Sequence, residues 1–200
     1  PIEAGKLGTP RAVVEPRESK IARYYYSKHD HTINPSWTPD GKRLVFVSNR
    51  EIAYGTGDVC SAAVDGSDFK CFVHEETSWR ARPEVAPGRR RVVYSSHQAR
   101  QCHQLWLTTP AGDAQLPLTF GEFDATQARW SPDGRRIAYI SNEDGNVALW
   151  VLETVGGKRT RIVPRDRQYS PPRATLRIQL TSADKSVAGR VSVVGVDERY

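Results

Sequence analysis

The chain has 200 residues, 38% hydrophobic and 26% charged, the balance of a soluble globular protein of one or two domains rather than a disordered one. A formal net charge of +6 serves solubility first and attraction of anions second, and it does not by itself imply a nucleic-acid partner. No run of about 18 apolar residues is present to span a membrane, and no charged-then-apolar leader marks a signal peptide. Opening on Pro1 rather than Met, the sequence reads as a processed or excised piece, so the missing leader leaves the compartment open.

Residues 1–33 begin with Pro1, Gly5, Gly8, Pro10 and Pro16 among scattered charges, and read as an irregular lead-in and the end of a preceding unit. Within them 21–26 is an apolar, aromatic strand candidate, followed by a polar loop holding His29-Asp30-His31. Residues 34–79 form the first full unit. It starts with a strand ending at Trp37, continues through a Pro39-Asp40-Gly41 turn, and enters a strand over 43–48. Pro presets φ at such a turn and Gly accepts the positive φ that follows. A loop with Gly55 and Gly57, a strand over 59–64, an Asp65-Gly66 turn and a strand over 69–73 complete four strands.

Residues 80–125 repeat that pattern in degenerate form. Pro87 takes the place of Pro39, and Val92-Val93-Tyr94 that of Leu44-Val45-Phe46. Trp37 becomes Val85 and the Asp-Gly pair becomes Gly88-Arg89, which predicts a turn of a different type. Residues 126–171 repeat it closely, with Trp130, Pro132, Asp133, Gly134 and a strand ending in Ser141-Asn142 against the earlier Ser48-Asn49. Cys60, Trp106 and Trp150 fall at one position of the third strand, steps of about 45 residues that match the four-stranded blade of a propeller. From 172 to 200 the pattern changes. Alternating stretches over 175–181 and 190–194 read as the opening strands of a β-sandwich-like module, or as a strand pair capping the propeller.

The fold expected is therefore all-β: about three four-stranded antiparallel blades of a partial propeller, followed by a further β module. Three blades do not close a ring of four to eight, which predicts exposed edge strands. The three cysteines show no CxxC spacing, so a structural zinc site has no support. If Asp65-Gly66 is a two-residue hairpin turn, Cys60 and Cys71 face each other as a hydrogen-bonded pair at the wider Cα spacing that suits a disulfide. The alternative is two small buried residues.

The Trp-Ser/Thr-Pro-Asp-Gly-Arg/Lys motif followed by a strand and Ser-Asn resembles the blade repeat of TolB-type, WD-like β-propellers, over residues 34–170. More narrowly, Tyr24-Tyr25-Tyr26-Ser27, Asp30-His31, Gly55-Thr56-Gly57, Trp79-Arg80-Ala81-Arg82-Pro83 and His103-Gln104-Leu105-Trp106 resemble the propeller region of bacterial metal-dependent hydrolases of the amidohydrolase-like type. That resemblance implies a catalytic domain, with its divalent metal, lying beyond this chain, and the remainder of the polypeptide as the chain's first partner. A TolB-type relationship implies instead a stand-alone protein-interaction propeller, and favours a periplasmic or secreted location.

The chain's own catalytic candidates are thin. His29 and His31, two apart on an extended segment, point to one side and can share a metal, but the remaining histidines supply no recognised ligand spacing. A loop hydrogen-bonding cluster is the simpler reading. Cys102 and His103 are strand neighbours with opposed side chains, no Gly-x-Ser-x-Gly elbow occurs, and Gly55-Thr56-Gly57 is too short for a nucleotide loop. No catalytic residue and no cofactor is assigned to the chain. Meander geometry does sort the loops into two rims. One collects Lys42, Arg43, Arg90, Arg91, Arg135 and Arg136, read as charged gatekeepers beside apolar strands ahead of an anion-binding surface. The other gathers His29, His31, Arg50, Trp79, Arg80, His97, Arg100 and Asp124, the mixture expected of a recognition surface.

Overall fold

In the computed structural model, the residues described are 2–3, 6–7, 9–20, 28–50, 57–74, 81–98, 101–166, 181–182 and 185–186. Trp79, Arg80 and Arg100, the strand expected over 21–26 and all but Thr181 of the stretches expected after 172 lie outside them. Among the described residues all regular structure is β. The strands, in chain order, are β1 (Ile2–Glu3), β2 (Lys6–Leu7), β3 (Thr32–Trp37), β4 (Arg43–Ser48), β5 (Asp58–Ala63), β6 (Lys70–Val73), β7 (Glu84–Val85) and β8 (Val92–Ser96). They continue as β9 (Gln104–Thr108), β10 (Leu116–Pro117), β11 (Ala125–Trp130), β12 (Arg136–Ser141), β13 (Ala148–Glu153), β14 (Arg159–Arg161), β15 (Thr181–Ser182) and β16 (Lys185–Ser186). Strands β3 to β6, β7 to β10 and β11 to β14 form three four-stranded antiparallel meanders, while β1 pairs with β2 and β15 with β16. Residues 164–200 form a unit separate from residues 1–163.

Register confirms the repeat residue by residue. Trp37, Val85 and Trp130 sit opposite Leu44, Val92 and Ile137. Cys60, Trp106 and Trp150 sit opposite Phe46, Tyr94 and Tyr139. Alternation along each strand then gives every blade two apolar faces, one for each neighbour. Val45, Val59, Phe72 and Val73 of blade one meet Val85, Val92, Tyr94 and Trp106 of blade two in one buried cluster. Val93, Leu105 and Leu107, from the other face of blade two, meet Ala125, Ile137, Tyr139 and Leu152 of blade three in another. The opposite face of blade one, with Phe46, Cys60 and Ala62, is covered in part by Val14 from the N-terminal segment. On the matching outer face of blade three Leu149 is exposed.

The motif turns follow from their side chains. Gly41 and Gly134 have φ of 67° and 69°. The Thr38 hydroxyl donates to Asp40 Oδ1 at 2.7 Å, and that oxygen also accepts the Lys42 N–H at 3.1 Å. Ser131, Asp133 and Arg135 repeat the arrangement at 2.6 and 3.0 Å. These bonds to the ionised form hold Asp40 down to about 2 and keep Asp133 low. Blade two corrects the expectation of a different turn type. The Ala86 and Arg89 backbones make the same turn hydrogen bond, 2.8 Å, that Thr38 makes with Gly41 and Ser131 with Gly134. Arg89 simply takes the glycine's place at φ 58°. Without a hydroxyl at 86 or a carboxylate at 88 this turn lacks its own clamp, and Arg89 reaches instead to Asp40 of blade one, 3.1 Å away.

Cys60 and Cys71 are paired across β5 and β6 and form a disulfide, with Cα atoms 3.8 Å apart, closer than the wider pair expected. The turn joining the two strands is also not the two-residue type. Gly66 N–H bonds to Ala63 O and Ala63 N–H to Ser67 O, a three-residue connection with Gly66 at φ 92°. A second irregularity at Asp68, φ 50°, restores the register that places the cysteines opposite one another.

Candidate functional site

The rim carrying the mixed loops is laced by the repeat itself. His31 N–H donates to Asn49 Oδ1 at 2.8 Å, and Asp124 N–H donates to Asn142 Oδ1 at 2.7 Å. In blades one and three the Asn that closes the second strand therefore ties down the entry to the first strand of its own blade. The Ser before it adds a bond in blade one, Ser48 Oγ to His31 O at 3.1 Å. The repeated Ser-Asn is visible in the sequence, but its latch role is not legible there.

Blade two breaks this rule, with His97 in the Asn position. Its ring stands edge-on to His103, centroids 5.6 Å apart. His103 in turn is bound to blade three: Asp124 Oδ1 accepts its backbone N–H at 2.9 Å and lies 3.2 Å from Nδ1. Ala125 N–H donates to His103 O at 2.8 Å, so the same residue stitches both strand entries together. His97, His103 and Asp124 are thus one cluster at the junction of blades two and three. Beside it a cleft of about 230 Å³ opens between Asp124, Gln127, Asn142 and Val147.

The candidates on blade one form a second group with a different character. Arg50 stacks over the Phe69 ring, 4.9 Å from its centre, and donates to Glu15 O. Burial, with Arg17 nearby, lowers its pKa. Arg17 pairs with the buried Asp30 carboxylate at 2.6 Å. Arg50 therefore fastens the N-terminal segment to blade one rather than facing solvent as a recognition group. His29 is exposed and bridges Glu18, while His31 is half-buried. Among the described residues no group of three or more His, Cys, Asp or Glu side chains is placed to hold a metal. Among the described residues His29 and His31 are not joined by the further donors that a shared ion needs.

The basic rim is partly neutralised within the fold. Arg43 pairs with Asp68 at 2.6 Å and reaches Ser61 Oγ at 3.0 Å, and Arg89 pairs with Asp40. Arg90, Arg91, Arg135 and Arg136 are exposed beside apolar strands. Sequence reading missed Glu84, which sits at this end of β7. Its carboxylate accepts Trp130 N–H at 2.7 Å, its carbonyl accepts the indole N–H at 3.2 Å, and burial raises its pKa. Nothing in the degenerate second repeat signalled that its first strand would hold the tryptophan of the third.

No protein-family model matches the chain. Over 96 residues, 45% of the chain, it is 34% identical to the uncharacterized peptidase YuxL of Bacillus subtilis, and it spans 15% of that protein. Among solved structures it is similar to a TolB of Agrobacterium tumefaciens, with a TM-score of 0.60 and 18% identity over 78% of this chain and 53% of that one. It is also similar to TolB of Acinetobacter baumannii, with a TM-score of 0.56 and 19% identity over 69% of this chain and 34% of that one. A puromycin hydrolase aligns with a TM-score of 0.52 and 17% identity, over 78% of this chain and 25% of that one. These likenesses establish a TolB-like β-propeller fold, of which the chain represents a part of the length of each relative.

Proposed function

We propose that the chain is the non-catalytic propeller segment of a larger hydrolase, in which it binds and positions the remainder of the polypeptide. The observation that carries this reading is the 34% identity to an uncharacterized peptidase of which the chain spans 15%. A peptidase-type parent has support from that relative, whereas the amidohydrolase-like parent implied by the motif resemblance, with a divalent metal in a separate domain, has no counterpart among the relatives above.

The residues before β3 fit the end of a preceding blade. A Cβ on Gly112, in the third turn of blade two, would lie 1.7 Å from Phe72 O of blade one. One on Gly66, in the third turn of blade one, would lie 2.6 Å from Val13 O. Val13 thus stands to blade one as Phe72 stands to blade two. The contact surface proposed for the remainder is the rim of His29, His31, His97 and Asp124, and the sequence adds Trp79, Arg80 and Arg100, outside the described residues, to the candidates.

The test is association of the 200-residue chain with the separately expressed remainder of its polypeptide. A variant carrying His29→Ala, Arg80→Ala, His97→Ala and Arg100→Ala, with an unchanged circular dichroism spectrum, loses that association. Undiminished binding by the quadruple variant refutes the assignment of the rim. A second reading, a protein-interaction propeller without a catalytic partner, draws on the TolB likeness. It is favoured if the chain captures other proteins but not its own remainder.

A further inference from the structure

The site that no relative assigns lies on the basic rim, between blades one and two. A cleft of about 230 Å³ opens there over an apolar floor of Val45, Phe72, Val85 and Val92. Its origin is the broken repeat. In the next interface the Trp130 side chain packs on the cluster holding the equivalent residues, Val93 and Ile137, and hydrogen-bonds to Glu84. Blade two has Val85 where blade three has Trp130, at the same register position opposite the same strand. With Val85 in that place, Val45, Phe72, Val85 and Val92, each at most 8% exposed, themselves line the cleft, whereas in the next interface Trp130 lines a cleft of about 500 Å³ in their stead.

The mouth of the cleft is cationic. Arg43 and Arg89 line it but are satisfied by Asp68 and Asp40, whereas Lys70, on the same wall, has no ion pair among the described residues. The surplus is one positive charge beside an apolar-floored cleft. Ligand sites combine these features: an apolar body that supplies affinity and a placed charge that fixes orientation.

We propose that this cleft binds an aromatic carboxylate, whose ring takes the volume that the Trp130 indole fills one blade later and whose carboxylate meets Lys70. A small free acid and the C-terminal aromatic residue of a peptide present the same chemistry. The site is independent of the opposite rim, so its fate does not depend on how the chain contacts the rest of its polypeptide.

The experiment is a methyl-NMR titration of the 200-residue chain with indole-3-acetate, indole-3-acetamide and the tripeptide Gly-Gly-Trp. The acid shifts the methyl signals of Val45, Val85 and Val92, and binds about tenfold tighter than the neutral amide, the value of one charge-assisted hydrogen bond. Lys70→Ala, at an exposed position, erases the difference between acid and amide. Val85→Trp restores the repeat, fills the slot and abolishes binding of both. Tighter binding of Gly-Gly-Trp identifies a peptide terminus as the source of the ligand, and tighter binding of the free acid identifies a small molecule. No methyl shift with any of the three at ~10 mM, a concentration at which even millimolar affinity gives occupancy, overturns the proposal. So does full binding by a folded Val85→Trp chain, and so does an acid preference unchanged in Lys70→Ala, which remains informative if the tryptophan variant does not fold.

Discussion

Substituting Gly112 by Ala separates the contribution of blade-to-blade contact from that of turn conformation. Gly112 lies at φ 87°, and a Cβ there would stand 1.7 Å from Phe72 O and 2.7 Å from its carbonyl carbon, both backbone atoms of the preceding blade. Since Cβ atoms essentially never approach heavy atoms within 3.0 Å, the two blades must part by more than an ångström. Gly41 is the internal control. It sits in the same left-handed region at φ 67°, and a methyl added there would meet nothing within 4 Å. Ala at that position costs only the backbone strain, about 1 kcal/mol. At Gly112 the same strain is joined by loosening of the cluster that contains Phe72, Val85, Val92 and Trp106. Because a gap of that size forfeits a large part of the dispersion contact, the added loss is roughly 2–3 kcal/mol. For a chain of this size the midpoint of thermal unfolding should fall by roughly 10 °C for Gly112→Ala and roughly 2–4 °C for Gly41→Ala. Calorimetry or circular dichroism melts decide the matter. Equal losses at the two glycines would refute the claim that blade two's third turn presses on blade one.

Reduction of Cys60–Cys71, or Cys71→Ser, should lower stability by roughly 2–3 kcal/mol, the effect of closing a short loop, as read from denaturant unfolding with and without reductant; coincident curves would show that the bridge is not formed. Glu84→Gln should be neutral or stabilising at neutral pH, because the amide oxygen still accepts Trp130 N–H while the burial that raises the Glu84 pKa no longer opposes a charge. Any advantage must shrink as pH falls through the raised folded pKa, where the wild-type side chain folds protonated; a marked loss at neutral pH would mean that Trp130 depends on the full carboxylate charge. Asp40 is held down to about 2, and Asp65 and Asp133 are held low, chiefly by the hydroxyls of Thr38, Ser67 and Ser131. Their stabilisation is present above the ordinary carboxylate pKa of 3.8 and is lost as pH falls through each lowered folded pKa, about 2 for Asp40, so Asp133→Asn should flatten the acid limb of the stability curve, and parallel curves would contradict the assignment.

Much of the architecture could be read from residue types because the repeat is local. Pro-Asp-Gly fixes a turn through backbone preference, and the spacing of the repeats gives three four-stranded meanders and their order. The second repeat defeated the turn prediction for a physical reason: the backbone conformation is set by both flanking strands, and Arg89 was forced into the glycine's conformation rather than choosing its own turn. The disulfide register was right while its turn was not, since the irregularity at Asp68 compensates for the longer connection. The rim was legible only as a composition. His97 and Asp124 do meet through His103, but Arg50 lies over the Phe69 ring and donates to Glu15 O, a contact with the N-terminal segment that its place in the sequence does not announce. The inter-blade cleft was hidden for the opposite reason. The exchange of Trp for Val85 is visible in the sequence, but that Val45, Phe72 and Val92 line a cleft beside it is not.

The most direct test of the radial arrangement is a methyl-to-methyl nuclear Overhauser map of the 200-residue chain. Contacts between Val45 and Val92, and between Val93 and Ile137, with none joining the methyls of β4 to those of β12, are the result expected of consecutive blades stacked face to face. Contacts that run from β4 directly to β12, or the absence of both neighbouring sets, would contradict it.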